Sequence, residues 1–136
     1  MAVLYPSFAL FALTIFCIFR LGISRYRAVA AGRVDHRYFR DYRGYDEPDD
    51  LRIQSRHVVN LLEVPVLFYA GSIIAYISGS TGTVVVSLCW TYVALRYLHS
   101  FVHLTSNRVM LRFRLFGLSL LVLTAIWAVS LANMVK

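Results

Sequence analysis

The sequence predicts an all-α integral membrane protein built as a bundle of four transmembrane helices. Hydrophobic residues make up 59% of its 136 residues and charged residues only 15%, against about 45–50% and about a quarter in soluble domains. A soluble domain of this length has too little interior to bury so much apolar surface. The charged residues are also confined to a few segments that separate long uncharged runs, which is typical of a multi-pass membrane protein.

The first uncharged run begins at the N-terminus and predicts a transmembrane helix over residues 4–27. Ala2–Phe19 carries no charge, and the basic segment that opens a secretory signal is missing, so we expect a helix that stays in the membrane. Residues 28–51 then change character and hold six of the seven acidic residues together with several arginines. This composition predicts a solvated loop, with room for one short amphipathic helix.

The remaining helices follow from two further uncharged runs. Val64 to Leu95 contains no charged residue over 32 positions, which is too long for one helix across a hydrocarbon core of about 30 Å. The Ser78–Thr83 stretch, SGSTGT, is the natural break. We therefore predict helices over 52–77, 83–105 and 112–135, and one membrane domain over residues 1–136.

The loop charges predict the orientation. The 28–51 loop and the connection before the fourth helix are rich in arginine, whereas 78–83 is uncharged. Basic loops face the cytoplasm, so both basic loops are predicted there and both termini on the other side. The compact size and short turns favour a bacterial inner membrane.

The net charge is +7, and all but one of the 14 basic residues are arginines. These arginines cluster beside apolar segments, where such side chains usually extend to lipid headgroups. The sequence therefore predicts membrane lipids as partners and no nucleic acid. Cys17 and Cys89 each lie in an apolar run and are interpreted as small core residues.

The ionisable residues within or beside the apolar runs are the candidate site. A lone carboxylate in lipid is costly, so Glu63 is expected to face protein and meet a cation. Helical spacing places polar residues on one face of the second helix and on one face of the third, with further arginines at nearby helix ends. The candidates are Arg56, Asn60 and Glu63 on the second helix, Arg96, His99 and His103 on the third, Arg25 on the first and Arg112 on the fourth.

All of these candidates lie toward the predicted cytoplasmic ends of their helices. Together they predict a cationic, partly desolvated pocket for a polar anion, with an apolar partner arriving from the lipid. An ion-pair network that only holds the helices together remains the alternative. His99 and His103 have the spacing of a metal pair, but arginines flank them and no third ligand follows, so no metal site is predicted.

The same residues resemble a known family. RHVVNLLEVPVLFY (Arg56–Tyr69) resembles the Arg-x-x-x-Asn-x-x-Glu signature, with a following Pro, of the MAPEG superfamily, the membrane-associated proteins in eicosanoid and glutathione metabolism. RYLHSFVH (Arg96–His103), followed by Arg112, is similar to that family's third helix and the opening of its fourth. The resemblance covers most of the chain.

The resemblance implies a homotrimer whose glutathione sites lie between subunits near the cytoplasmic face. It assigns the binding of glutathione, as co-substrate, to residues on three helices, and the stabilisation of its thiolate to Arg112. A cation beside a helix N-terminus lowers the pKa of a thiol. The residues implied to bind the tripeptide are Arg25, Arg56, Asn60, Glu63, Arg96, His99 and, where related enzymes have a tyrosine, His103.

The function implied is a glutathione-dependent transferase or peroxidase acting on lipophilic electrophiles or hydroperoxides. His103, and Phe113 where the prostaglandin synthase relative has a serine, argue against a specific prostaglandin or leukotriene activity. Two alternatives remain open: a non-catalytic membrane scaffold or lipid-binding protein of the same fold, and a site for another small thiol or anion.

Overall fold

The computed structural model of the chain describes residues 1–43 and 47–135. After a 3-10 turn at Ala2–Leu4, the helices are α1 (Tyr5–Ala30), α2 (Tyr38–Asp41), α3 (Asp49–Ile77), α4 (Thr83–Leu104) and α5 (Val109–Met134). The described residues contain no strand, and four of the helices are long and apolar enough to cross a membrane. The predicted all-α class with four membrane-spanning helices is confirmed.

Local sequence explains where the long helices begin. Pro6 lies in the first turn of α1, where its missing N–H costs nothing. Asp49 and Asp50 occupy the first turn of α3, where negative charge is favoured by the helix dipole. α5 begins at Val109, earlier than the predicted residue 112, because no helix-breaking residue separates Val109 from Arg112 and arginine is itself a good helix former.

The four long helices alternate in direction across the bundle. The connections from α3 to α4 and from α4 to α5 are very short, residues 78–82 and 105–108, so neighbouring helices in sequence run antiparallel. α1 packs on α3 and α4, and α5 packs most extensively on α4. The parallel helices α1 and α4 therefore end near each other, on the membrane face that carries the two basic connections.

The turn between α3 and α4 is tied to the end of α5. Gly79 has a φ of +73°, a conformation that glycine adopts without strain. The Ser80 hydroxyl then donates a hydrogen bond of 3.4 Å to the carbonyl of Ser130. This contact holds the far ends of α3, α4 and α5 together.

Apolar side chains fill the interior and also cover the exterior. Leu61, Phe68, Tyr92 and Ile126 are almost fully buried, and the rings of Phe68 and Tyr92 stack with their centroids 4.5 Å apart. On the outside, large apolar side chains such as Phe101 are more than half exposed. So many exposed apolar side chains are expected of a surface that faces lipid.

Candidate functional site

Six of the eight predicted site residues line one pocket of about 300 Å³, which we call the arginine pocket. Its wall is formed by α3, α4 and the first turn of α5. The lining residues are Ser55, Arg56, Val59, Asn60, Glu63, His99, His103 and Arg112. Residues 36 to 57 positions apart in sequence are thus brought together by the antiparallel packing of these three helices.

Arg96 lies behind the pocket wall and is completely buried. Its Nη2 donates to the side-chain oxygen of Asn60 at 2.6 Å and to the Asn60 carbonyl at 3.1 Å. Its guanidinium also lies over the Phe116 ring, 5.7 Å from the centroid. Among the described residues, Nε and Nη1 have no hydrogen-bond partner. A buried cation held only by neutral groups is costly, and a nearby anion would lower that cost.

Arg112 lies in the first turn of α5, one turn after the N-cap residue Arg108. Its Nη1 donates a hydrogen bond to the side-chain oxygen of Asn107. Asn107 has a φ of +47°, a left-handed conformation that asparagine adopts more readily than most residues. The Arg112 Nε is buried and lacks a partner within the described residues. The short connection therefore orients Arg112 through Asn107, a role that the sequence did not predict.

Glu63 lines the arginine pocket and forms none of the ion pairs that the structure describes. Its side chain is exposed in the single chain, and the ion pairs described by the structure involve only Asp35, Asp49 and Asp50. The reason is the rotation of α3 about its axis. Leu61 points into the core, and Glu63, two residues later, points away from it at about 200°.

Arg56 lies one turn before Asn60 on α3 and is also exposed. Arg56 and Glu63 thus stand at opposite ends of the α3 wall of the pocket, seven positions or about 10 Å apart along the helix. Both charges lie on a membrane-spanning helix. A charge exposed at that depth needs protein or water against it.

His57 packs behind the pocket against His99 and His103, and it was not among the predicted residues. It is completely buried, and its ring centroid lies 4.8 Å from that of His103 and 6.2 Å from that of His99. Within the described residues neither of its ring nitrogens has a hydrogen-bond partner. Its spacing of three residues from Asn60 was a signal that would have placed it on the same side of α3.

A second cavity of about 220 Å³ adjoins the arginine pocket. The two share Asn60, His99 and Arg112, and the rest of the second cavity is apolar, formed by Val109, Phe113 and Phe116 of α5. An ionic ligand in the first space and an apolar ligand in the second would therefore meet beside Arg112.

Arg25 does not line the arginine pocket. It donates a hydrogen bond of 3.1 Å to the Ser55 hydroxyl, which does line the pocket, and its guanidinium lies 5.1 Å from the centroid of the Phe39 ring. Ser55 in turn donates to Glu47 at 3.2 Å. In the single chain Arg25 therefore connects the pocket with the loop and does not enter the pocket itself.

The side chains of this site can bind an anion and stabilise negative charge. Guanidinium groups bind carboxylates through paired hydrogen bonds, and the N-terminus of α5 adds the positive end of its dipole beside Arg112. Among the described residues, no group of three His, Cys, Asp or Glu side chains has an arrangement suited to a metal ion.

The comparisons with known proteins give one significant match. No curated protein and no solved structure matches the chain significantly. The model of the MAPEG family matches residues 3–132, nearly the entire sequence and all four long helices. With its four candidate membrane spans and this match, the chain is an integral, multi-pass membrane protein that belongs to the MAPEG family.

Proposed function

We propose that the protein is a glutathione-dependent transferase or peroxidase that acts on lipophilic electrophiles or hydroperoxides. The observation that carries the proposal is the uncompensated positive charge at the arginine pocket. In the described part of the chain, Arg96 has two and Arg112 has one buried guanidinium nitrogen without a hydrogen-bond partner. Buried donors of this kind favour a ligand that supplies several anionic oxygens or a thiolate.

The charges of the site complement those of glutathione. Ionised glutathione carries two carboxylates, a thiolate and one ammonium group, and the site offers three guanidiniums and one carboxylate. Arg56 at the exposed end of the pocket suits a carboxylate of the tripeptide, Glu63 suits its ammonium group, and Arg112 suits the thiolate. Asn60, His99 and His103 supply neutral hydrogen-bonding groups on the same walls.

Arg112 is the proposed catalytic residue. It combines its own charge with the N-terminus of α5 and stands between the two cavities. A cation at this position favours the thiolate over the thiol, and each tenfold gain in thiolate corresponds to about 1.4 kcal/mol.

The second cavity is the proposed entrance for the lipophilic reactant. In a transferase reaction the sulfur forms a bond to an electrophilic carbon while a leaving group departs with its electron pair. In a peroxidase reaction the sulfur attacks a hydroperoxide oxygen, an alcohol leaves, and a second glutathione completes a disulfide with release of water. Phe113 and Phe116 would hold the apolar part of the reactant in both cases.

The test compares Arg112→Ala with Arg114→Ala. Arg114 is an exposed arginine two positions along the same helix and lines neither cavity, so it is a matched control. We expect Arg112→Ala to lower turnover of a lipophilic model electrophile by about 10²-fold, as when one preorganised charge donor is removed, and Arg114→Ala to leave turnover near wild type.

Calorimetry with glutathione on the detergent-purified protein separates binding from chemistry. We expect heat of binding in the wild type and weaker binding in Glu63→Gln. No binding of glutathione by the wild type, or turnover unchanged in Arg112→Ala, would refute the proposal and favour a membrane scaffold or lipid-binding protein, or a site for another thiol.

We further propose that the protein assembles as a homotrimer with its sites at the subunit interfaces. The supporting observation is the exposure of Arg56 and Glu63 on a membrane-spanning helix, since a neighbouring subunit would shield both from lipid. Size-exclusion chromatography with light scattering should give three chains per complex. A protein that is monomeric and still binds glutathione would contradict this arrangement.

The arginine-rich connections support an orientation in which the 28–51 loop faces the cytoplasm, and we propose a bacterial inner membrane. A single cysteine introduced at exposed Arg37, in a background lacking Cys17 and Cys89, should react with a membrane-impermeant maleimide only after the cells are opened. Labelling in intact cells would show that the 28–51 loop faces the opposite side of the membrane.

A further inference from the structure

An apolar groove of about 410 Å³ runs between α1 and α4, away from the arginine pocket. The groove residues on α4 lie on a face that is turned by about 120° from the face of Arg96, His99 and His103, so α4 separates the two spaces. The groove is lined by Ala12, Leu13, Phe16, Cys17 and Arg20 of α1 and by Tyr97, Ser100, Phe101, Leu104 and Thr105 at or after α4.

The groove is polar at one end and apolar along the rest of its length. Arg20 and Thr105 stand at the end nearest the two basic connections, and Ala12 and Tyr97 stand eight positions earlier on their helices, about 12 Å away. At this deeper end the Tyr97 hydroxyl donates to the carbonyl of Ala9 at 2.9 Å and joins the two helices. The groove is therefore closed toward the membrane centre and charged toward the membrane surface.

Arg20 has no anionic partner in the part of the chain that the structure describes. The described ion pairs belong to Asp35, Asp49 and Asp50, in the loop and the first turn of α3. Arg20 lies ten residues, about 15 Å, before the end of α1. It is therefore deeper in the membrane than Arg25, and a cation at that depth requires an anion or the headgroup region within reach.

We infer that this groove binds one acyl chain of an anionic phospholipid, whose phosphate is held by Arg20. The polarity of the groove matches that of a lipid in the adjacent leaflet, with a charged group at the surface and a hydrocarbon chain pointing to the membrane centre. Phe16 and Phe101 are more than half exposed beside the groove and contribute apolar surface to its two walls. This site is independent of the proposed glutathione chemistry.

Charge complementarity favours a phospholipid over a second copy of the chain. Glu63 is the one acidic residue of the sequence outside residues 35–50, and it lines the arginine pocket. A neighbouring copy would therefore bring apolar helix surface against Arg20 without an anion at the matching depth, whereas an anionic headgroup supplies one.

The experiment is native mass spectrometry of the full chain with phosphatidylglycerol or phosphatidylcholine. We expect one tightly bound phosphatidylglycerol per chain and weaker binding of phosphatidylcholine. Arg20→Gln should weaken phosphatidylglycerol by about tenfold, as expected for loss of a charge-assisted hydrogen bond. Arg114→Gln removes the same charge from an exposed position outside the groove and should keep the wild-type affinity.

Two further measurements locate the bound lipid. Ala12→Trp adds bulk at the deep end of the groove from an exposed position and should lower occupancy without a change in headgroup selectivity. A photoactivatable phosphatidylglycerol with its reactive group on the acyl chain should label peptides of α1 and α4.

Several outcomes would overturn the proposal. Equal affinities for the two lipids would show that Arg20 does not select an anionic headgroup. An equal loss of phosphatidylglycerol affinity in Arg20→Gln and Arg114→Gln would show the same. Labelling of α3 and α5 in place of α1 and α4 would show that the lipid binds outside the groove. Displacement of the lipid by a lipophilic electrophile, with a raised KM in Ala12→Trp, would make the groove a reactant site.

Discussion

The pairing of Arg96 with Asn60 gives a prediction whose size follows from the structure. Arg96 is completely buried, and its Nη2 donates to the Asn60 side-chain oxygen at 2.6 Å. Asn60→Ala removes that acceptor and leaves the carbonyl of residue 60, at 3.1 Å, as the remaining contact. A hydrogen bond to a charged group contributes about 1.5–3 kcal/mol, so the free energy of unfolding should fall by about 2 kcal/mol.

Asn60→Asp should have the opposite effect on stability. It offers Arg96 a carboxylate in place of a neutral oxygen, so the unfolding free energy should exceed that of Asn60→Ala and reach at least the wild-type value. The same carboxylate adds negative charge to the wall of the arginine pocket. Binding of glutathione should therefore weaken by about tenfold or more, even though the fold is as stable as before.

Unfolding of the detergent-solubilised protein can be followed by far-ultraviolet circular dichroism across a denaturant series, with calorimetry for glutathione. Asn133→Ala, at an exposed position near the end of α5, is the matched control and should leave both measurements unchanged. Equal stabilities of Asn60→Ala and wild type would refute the reasoning that Arg96 depends on this acceptor. Unchanged glutathione affinity in Asn60→Asp would show that Asn60 does not contribute to the binding site.

The remaining predictions concern three other contacts. His57→Phe should raise the unfolding free energy by about 1 kcal/mol, because a ring of similar shape replaces a buried imidazole without partners in the described residues; a loss of stability in the same denaturant series would show that His57 has an unseen partner. Gly71→Ala should lower the free energy of unfolding by about 1–3 kcal/mol, since its added carbon would lie 2.9 Å from the Trp127 ring nitrogen. A smaller loss in a Trp127→Phe background would support this contact as the cause, and an equal loss would exclude it. Arg33→Gln should barely change unfolding at any salt concentration, because its pair with Asp50 is half exposed; a large salt-dependent loss would contradict this.

The fold could be predicted from the sequence because the lipid environment imposes a simple rule. Each uncharged run must be long enough to cross the membrane and must satisfy its own backbone hydrogen bonds, which predicts a helix. The sequence therefore predicted four spans and the break near Gly79. Helix ends were less certain from the sequence, because arginines such as Arg108 are compatible with both a loop and a helix start, as the early beginning of α5 shows.

The site was only partly readable, because periodicity defines a face of a helix but not the direction in which that face points. The spacing of Arg56, Asn60 and Glu63 placed them together, and all three do line one pocket. How far each is buried depends on the rotation of α3 against α4, which no local pattern encodes. For that reason Glu63 is exposed while its neighbour in the pocket region, His57, is buried.

Asn107 could not be assigned from the sequence for a different reason. The sequence places it in the short, basic connection before α5. Its actual role depends on a left-handed backbone conformation that brings its side chain to Arg112. Such a conformation is a property of the closed connection between two packed helices and has no signature in a single residue type.

The very short turn between α3 and α4 has a consequence for how the protein enters the membrane during synthesis. α4 is the least apolar of the four long helices and carries Arg96, and an arginine within a span costs up to roughly 2.5–3.5 kcal/mol during insertion. Asn60, which receives Arg96, is already present on α3 when α4 leaves the ribosome. We therefore expect α3 and α4 to insert together as a helical hairpin, with α3 helping its successor across the translocon.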